Sequence, residues 1–162
     1  MSTKLDEVFF KQLLLQASES PRKRSHYNLH KELNEHVQRL CIGFRKGTYV
    51  RPHHHPQNNK WELLVALRGA VRLIIFDPEG EILERLTLSH GDSLSGIEMM
   101  PRTYHTLYPL TDEAVILEVK EGPYTPTEEG DFASWAPREG DANAMKFLAW
   151  LDTAKPGEKY TA

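Results

Sequence analysis

The sequence predicts a mostly β protein, an antiparallel sandwich or barrel with a short N-terminal helix and a C-terminal arm plus helix. From residue 37 to 120, short runs rich in Val, Ile, Leu, Phe and Tyr alternate with turn residues. A spacing of roughly 8–12 residues between such runs is typical of all-β folds. No segment between the runs is long and helical enough for a βαβ crossover, which excludes a parallel α/β sheet.

The individual elements follow from local patterns. A helix is predicted from about Leu5 to Ala17, where apolar residues recur at helical spacing, and Ser20-Pro21 ends it. After Gly122, prolines and acidic residues predict an irregular arm, followed by a helix from Asp141 to Leu151 with Asp141 as N-cap. Strands are predicted at 37–45, 48–55, 61–68, 70–76, 81–88, 93–99, 104–108 and 114–120.

Length and composition favour one structural domain. The 162 residues divide into a helix and arm (1–36), a barrel (37–122) and a C-terminal arm and helix that pack on the barrel (123–162). The net charge of −3 argues against a nucleic-acid surface, and no apolar run reaches the roughly 18 residues of a membrane span. Cys41 is the only cysteine, so an intramolecular disulfide is excluded. The polar N-terminus is unlike a signal peptide, and a cytoplasmic location is expected.

A cluster of histidines points to a metal site. His53 and His55 are two residues apart, and on an extended strand such residues point to the same face. An unbroken strand would place Tyr49 and Arg51 on that face as well. The next strand has an apolar face that includes Leu63, Val65 and Leu67, which we interpret as the core side.

That interpretation places Glu62 on the polar, pocket-facing side of its strand. His105, on a later strand, is expected to reach the same point. Three imidazoles and a carboxylate suit one divalent transition metal ion, namely iron, manganese, nickel, cobalt or zinc, whereas calcium and magnesium prefer oxygen ligands. An octahedral ion would keep two positions for water or substrate. The alternative is a histidine-rich surface turn that binds metal adventitiously.

The same residues resemble the first cupin motif. Gly47, His53, His55, Glu62 and Gly69 fit its order, although the six residues between His55 and Glu62 are more than the usual three or four. The second cupin motif is degenerate here. Its histidine corresponds to His105, while Met100, Arg102 and Pro109 replace its Pro, Gly and Asn, and Pro101 partly preserves the turn.

Across nearly the whole chain, the sequence resembles the WbuC-type cupin-fold metalloproteins. That resemblance implies a double-stranded β-helix jelly roll, a metal held by histidines, a homodimer and an association with bacterial surface-polysaccharide gene clusters. It does not fix a substrate. The segments that carry it are Ser20-Pro21-Arg22-Lys23-Arg24, Asn28-x-His30, Val37-Gln38-Arg39, Lys60-Trp61-Glu62-Leu63, Glu121-Gly122-Pro123-Tyr124 and Trp135-Ala136-Pro137.

Four further residues are candidates for binding the substrate. Arg51 could hold a carboxylate or phosphate of a ligand, or form a structural pair with an acidic residue such as Glu118. Tyr49 and Lys60 are pocket candidates, and Lys60 could instead pair with Glu62 and leave the ion on three histidines.

His30 is the fourth candidate and belongs to the N-terminal arm. It alternates with His26 and Asn28, which predicts either an arm that covers the barrel mouth or a half-exposed edge strand. The basic run Arg22-Lys23-Arg24 is interpreted as a surface ion-pair cluster or a contact with an anionic ligand.

Three classes of function fit these residues. The first is a metal-dependent enzyme acting on a small polar metabolite (a sugar, sugar acid or sugar nucleotide), with an isomerase or epimerase reaction or, using iron, a dioxygenase reaction. The second is a metal-containing module that binds a carbohydrate or acidic ligand without catalysis. The third is a purely structural β-domain. Neither a nucleic-acid partner nor a membrane is expected.

Overall fold

Antiparallel pairing joins the strands of the computed structural model, which describes residues 2–161. One sheet has five strands in the order β1-β2-β8-β3-β6, and the other has three in the order β5-β4-β7. This arrangement is a jelly roll, so the predicted mostly β fold class is confirmed. The elements are α1 (Glu7–Glu19), β1 (Arg24–Asn28), β2 (Val37–Arg45), β3 (Glu62–Arg68), β4 (Ala70–Phe76), β5 (Ile82–Ser89), β6 (Gly96–Met99), β7 (Tyr104–Pro109), β8 (Glu113–Glu121) and α2 (Ala144–Thr153), with a 3-10 turn at Glu129–Asp131.

Helix α1 covers the outer face of the five-stranded sheet. Asp6 caps it by accepting a hydrogen bond from the Phe9 backbone N–H at 3.1 Å, and the helix ends at Glu19, with Ser20 as its C-cap directly before Pro21. Its apolar side packs against β2 and β8. The residues of this cluster are Phe10, Leu13, Leu14, Cys41 and Val115.

The main core lies between the two sheets. On β3, Leu64 and Ala66 point into this core together with Glu62, while Leu63 and Val65 are only partly buried. The predicted core face of this strand was therefore wrong. The order of the strands explains the error. Helix α1 packs against β1, β2 and β8 and leaves the outer face of β3 partly exposed.

A second cluster fixes the C-terminal segment onto the three-stranded sheet. Phe147 of α2 is fully buried there and packs against Tyr49, Trp135 and Tyr160. Helix α2 begins later than predicted, at Ala144, and Asn143 is its N-cap residue in place of Asp141. Asp141 instead stabilises the preceding turn by accepting a hydrogen bond from Arg138 N. No helix among the described residues has the length and apolarity to cross a membrane.

The predicted strand at 48–55 is the main difference between expectation and structure. Only His53 in this segment is paired, through a bridge to His105 and another to Phe132. Pro52 and Pro56 have no backbone N–H to donate, which limits regular pairing on both sides of His53. The segment therefore crosses between the sheets as irregular chain.

We expect Phe147→Ala to lower the free energy of unfolding by about 3–5 kcal/mol, the usual effect of emptying a large buried aromatic site. Urea denaturation followed by tryptophan fluorescence measures the change. The control, Met145→Ala on the exposed side of α2, is expected to change it by less than about 0.5 kcal/mol. A separate, early transition for α2 would contradict its place in the same cooperative unit.

Candidate metal centre

Two backbone hydrogen bonds bring the first histidines to the later strand. His53 N donates to His105 O at 3.1 Å, and His105 N donates to His53 O at 2.9 Å. This bridge places the His53 and His105 ring centroids 4.6 Å apart, and the His55 ring lies 5.5 Å from that of His53. The three imidazoles predicted as ligands therefore gather at one end of the inter-sheet space.

Glu62 completes the group in spite of the longer loop before it. It is the first residue of β3, and its side chain is only 5% exposed. One carboxylate oxygen lies 3.1 Å from His55 Nε2, and the other lies 3.4 Å from His105 Nε2. The structure thus brings together all four residues predicted to hold the metal: His53, His55, Glu62 and His105.

Backbone carbonyls set the protonation of two of these rings. His53 Nδ1 lies 3.0 Å from the carbonyl oxygen of Arg51, and His105 Nδ1 lies 3.0 Å from that of Thr103. A carbonyl oxygen can only accept, so each Nδ1 carries the hydrogen, and Nε2 of the neutral ring presents a lone pair. Metal-binding histidines are commonly oriented by such an outer hydrogen bond.

This arrangement leaves acceptors facing each other. The lone pair on His105 Nε2 points toward a Glu62 carboxylate oxygen at 3.4 Å, and the two repel unless a positive charge lies against both. A proton on Nε2 or a metal ion would supply that charge. The chemistry of this donor set therefore fits a transition ion.

The distances support the same conclusion. Two ligand atoms about 2.1 Å from one ion are separated by about 3.0 Å in octahedral and about 3.4 Å in tetrahedral geometry. The two His–Glu62 distances, each to a different carboxylate oxygen, fall close to these values. Within residues 2–161, no group of three or more His, Cys, Asp or Glu side chains has the finished geometry of a metal site. The pairwise distances nevertheless bring the three imidazoles and the Glu62 carboxylate close to one another.

Electrostatics favour the forms of these groups that bind metals. Burial, reinforced by the neighbouring His105, lowers the pKa of His53 to about 3, so this ring is neutral at physiological pH. Burial alone would raise the pKa of Glu62, but His105, His55 and Lys120 together lower it below its ordinary value. A neutral imidazole and an ionised carboxylate are the ligand forms that a cation requires.

Lys120 and Glu118 on β8 belong to the centre, although Lys120 was not among the predicted site residues. Lys120 Nζ lies 2.6 Å from a Glu118 carboxylate oxygen and 3.5 Å from Glu62. Burial opposes a charged Lys120, yet Glu118 and Glu62 raise its pKa above the ordinary value. Glu118 and Lys120 lie two and four residues after the apolar Ile116, so all three point to the same face of the strand. This spacing is a sequence signal that the two charged residues face inward.

The centre lies in a cavity of about 510 Å³. His26 and Asn28 of β1 line it, as do Tyr124, Thr127 and Phe132 of the C-terminal arm. Both interpretations of the N-terminal arm hold in part, because β1 is an edge strand and also contributes two side chains to the cavity. A volume in this range suits a small molecule.

Tyr49 and Arg51 do not share the face of His53, contrary to prediction, because residues 48–52 do not form a regular strand. The Tyr49 hydroxyl donates to the carbonyl oxygen of Pro137 at 2.8 Å inside the C-terminal cluster. Arg51 pairs with Glu129 at 3.0 Å and donates to the carbonyl of Ala133, so its acidic partner is not Glu118. Both side chains hold the C-terminal arm.

Lys60 and His30 also lie outside the residues that line the cavity. Lys60 Nζ donates to the carbonyl oxygens of Glu121 and Pro123, so the alternative pairing of Lys60 with Glu62 is wrong; Lys120 takes that place. His30 Nδ1 lies against the backbone of Arg39 at 2.8–3.0 Å. Lys60 therefore holds the loop before β3 against the end of β8, and His30 holds the segment after β1 against β2.

The fold is the jelly roll seen in cupin proteins. Solved structures with a similar arrangement include oxalate oxidase in complex with the substrate analogue glycolate, with 16% identity, a TM-score of 0.55, and coverage of 78% of this chain and 65% of that one. A conserved protein of unknown function from Streptococcus pyogenes has 16% identity, a TM-score of 0.52, and coverage of 77% and 91%. KdgF from Halomonas sp. has 19% identity, a TM-score of 0.50, and coverage of 65% and 84%. Such low identities show the fold alone.

The chain belongs to the family described as Domain of unknown function (DUF6016), whose profile matches residues 5–88. This match includes His53, His55 and Glu62 and ends before His105. No curated protein matches the sequence. The more specific resemblance to WbuC-type proteins remains a prediction.

We expect Glu62→Gln to weaken binding of a divalent transition ion by at least about tenfold, the loss seen when even an outer partner of a metal site is removed. The reason is that the amide keeps the shape but not the charge of the carboxylate. Elemental analysis of tag-free protein, followed by competition with a metallochromic chelator, measures the change. Glu98→Gln on β6, which is exposed, is the matched control. Full occupancy in Glu62→Gln would place Glu62 outside the ligand set.

Proposed function

We propose that this protein is a metal-dependent enzyme that acts on a small polar metabolite such as a sugar, sugar acid or sugar nucleotide. His53, His55, His105 and Glu62 would hold one divalent transition ion. The observation that carries the proposal is the pair of carbonyl-bound imidazoles whose Nε2 lone pairs are left for a cation beside Glu62.

When bound, such an ion supplies Lewis acidity and a template for two adjacent oxygens of the substrate. The protein's own residues do the remaining work. Lys120 and Glu118 present a charged hydrogen-bonding pair beside the centre, and Asn28 offers amide donors and acceptors from β1. Leu107 and Phe132 supply apolar walls that limit water. An isomerase or epimerase reaction suits a site in which an ion orients two substrate oxygens and only a few polar side chains surround the substrate.

One observation favours a second candidate, a metal-containing binding module without catalysis. Lys120 is already engaged by two carboxylates, and a group held in that way orients a ligand more readily than it transfers protons. The proposed link to surface polysaccharides rests on the resemblance to WbuC-type proteins. A homodimer and a cytoplasmic location also stay predictions, and analytical ultracentrifugation tests the first.

Isotope exchange separates the enzyme from the binder. We expect protein loaded with manganese or zinc to introduce solvent deuterium beside a carbonyl of an aldose, ketose or uronic acid without oxygen, as ¹H NMR detects. His105→Ala is expected to lower this exchange by about 100-fold or more because a ligand of the ion is lost. The control Glu98→Gln should retain it.

The other outcomes each identify a different function. Oxygen consumption that requires ferrous iron would support the dioxygenase. Metal-dependent retention of an unchanged sugar would support the binding module. Full activity after complete chelation would contradict every metal-dependent function.

A further inference from the structure

Two arginines at one end of the cavity share a single carboxylate. Arg22 and Arg24 both line the cavity and both contact Glu139 of the C-terminal arm. Arg22 forms a fork, with Nε 2.8 Å and Nη2 3.1 Å from the two carboxylate oxygens, and Arg24 Nη2 lies 2.5 Å from one of them. One negative charge thus faces two positive charges, and a net positive charge remains.

The backbone holds these arginines in place. Lys23, between them, has a φ of +55°, in the left-handed region that non-glycine residues rarely adopt. Hydrogen bonds fix the turn on both sides, from Thr48 Oγ1 to Arg22 O at 2.6 Å and from Arg45 N to Lys23 O at 2.9 Å. The backbone that carries the two arginines is therefore fixed before any ligand arrives.

Burial makes Arg24 the anchor of this pair. Its side chain is only 6% exposed, and Nη1 donates to the carbonyl oxygen of Tyr49 at 2.9 Å. Burial lowers the pKa of Arg24, while the hydrogen bond and charge of Glu139 oppose that change. Arg22 is 57% exposed at the cavity rim, so it is the more accessible of the two cations.

With a divalent ion at the proposed centre, the charge of the whole cavity would also favour an anion. Three permanent cations line it, Arg22, Arg24 and Lys120, and they are matched by three carboxylates. The carboxylates are those of Glu62, Glu118 and Glu139. A divalent ion at the proposed centre would raise the total to two positive charges, and a cavity of one sign concentrates ligands of the other.

We infer that Arg22 and Arg24 form a subsite for an anionic group, a carboxylate or phosphate, on the metabolite that the cavity binds. A planar guanidinium fork can donate to two oxygens of a carboxylate or of a phosphate, and Glu139 occupies the position that a ligand anion would share or take. This inference rests on the proposed function because it names the charge of that function's substrate.

The chain limits the size of such a ligand. Arg24 is bonded to the carbonyl of Tyr49, and only four residues lead from Tyr49 to His53. Four extended residues span at most about 14 Å, which is therefore the upper limit for the separation between the Tyr49 backbone beside Arg24 and the His53 backbone at the metal centre.

The competing explanation is that Glu139 only fastens the C-terminal arm to the N-terminal turn. The two explanations predict opposite effects of Glu139→Gln. Removal of a competing carboxylate strengthens anion binding if the arginines form a subsite. If the ion pairs are only a fastening, the same change loosens the arm and does not improve binding.

The experiment titrates the full chain with inorganic phosphate, and separately with acetate, at low salt by isothermal titration calorimetry. Each titration uses the as-purified protein and the protein after chelation and dialysis. We expect Glu139→Gln to bind the better of the two anions about three- to fivefold more tightly and Arg22→Gln to bind it less tightly by a similar factor. Arg45→Gln, which removes an arginine ion-paired to Glu113 outside the cavity, is the matched control and should match wild type.

The results separate this inference from the proposed function. Equal binding by Arg22→Gln, Arg45→Gln and wild type would overturn the subsite, as would unchanged or weaker binding by Glu139→Gln, whether or not its melting temperature falls. Phosphate binding that disappears on chelation and ignores Arg22 would place the anion on the metal, which overturns the subsite and leaves the proposed function intact. Arg22-dependent binding in a protein that takes up no metal would preserve the subsite and overturn the proposed function.

Discussion

A buried carboxylate that must stay charged is the constraint on which this end of the protein depends. Burying Glu62 without partners would carry a large desolvation cost, so its charge has to be compensated on several sides. Lys120 and a hydrogen bond from His55 provide part of that compensation, a cation between Glu62 and His105 would complete it, and Lys120 in turn is balanced by Glu118. Burying a charged network in an otherwise apolar inter-sheet space lowers the free energy of unfolding, and such a cost is typical of functional sites.

The fold supplies the geometry that this network needs. The start of β3 pairs with the end of β8, which places Glu62 directly opposite Lys120. The irregular segment from 48 to 56 then carries His53 and His55 across from the other side and attaches them to β7 through His105. A regular strand there would continue a ladder along one sheet, whereas the proline-flanked bridge lets the chain change direction at the site.

Much of this could be predicted from sequence, for identifiable reasons. Period-two alternation and turn residues gave the strands from β2 onward, and the spacing of the histidines identified the donors that the structure brings together. Tyr49 and Arg51 were misplaced because their predicted direction requires an unbroken strand, and the direction of an irregular segment depends on tertiary contacts. Lys120 was missed because a lysine on a strand ordinarily faces solvent, whereas here it lies on the face of β8 that lines the cavity.

The central position of β8 has a consequence for how the protein is made. During synthesis, β2 and β3 leave the ribosome long before β8, and neither can complete its pairing in the five-stranded sheet until residues 113–121 follow. Until then both strands carry open edges, which are prone to pair with other chains. A truncated or stalled chain that ends before β8 would therefore be an aggregation hazard, and the network around Glu62 can form only after translation of the sheet is complete.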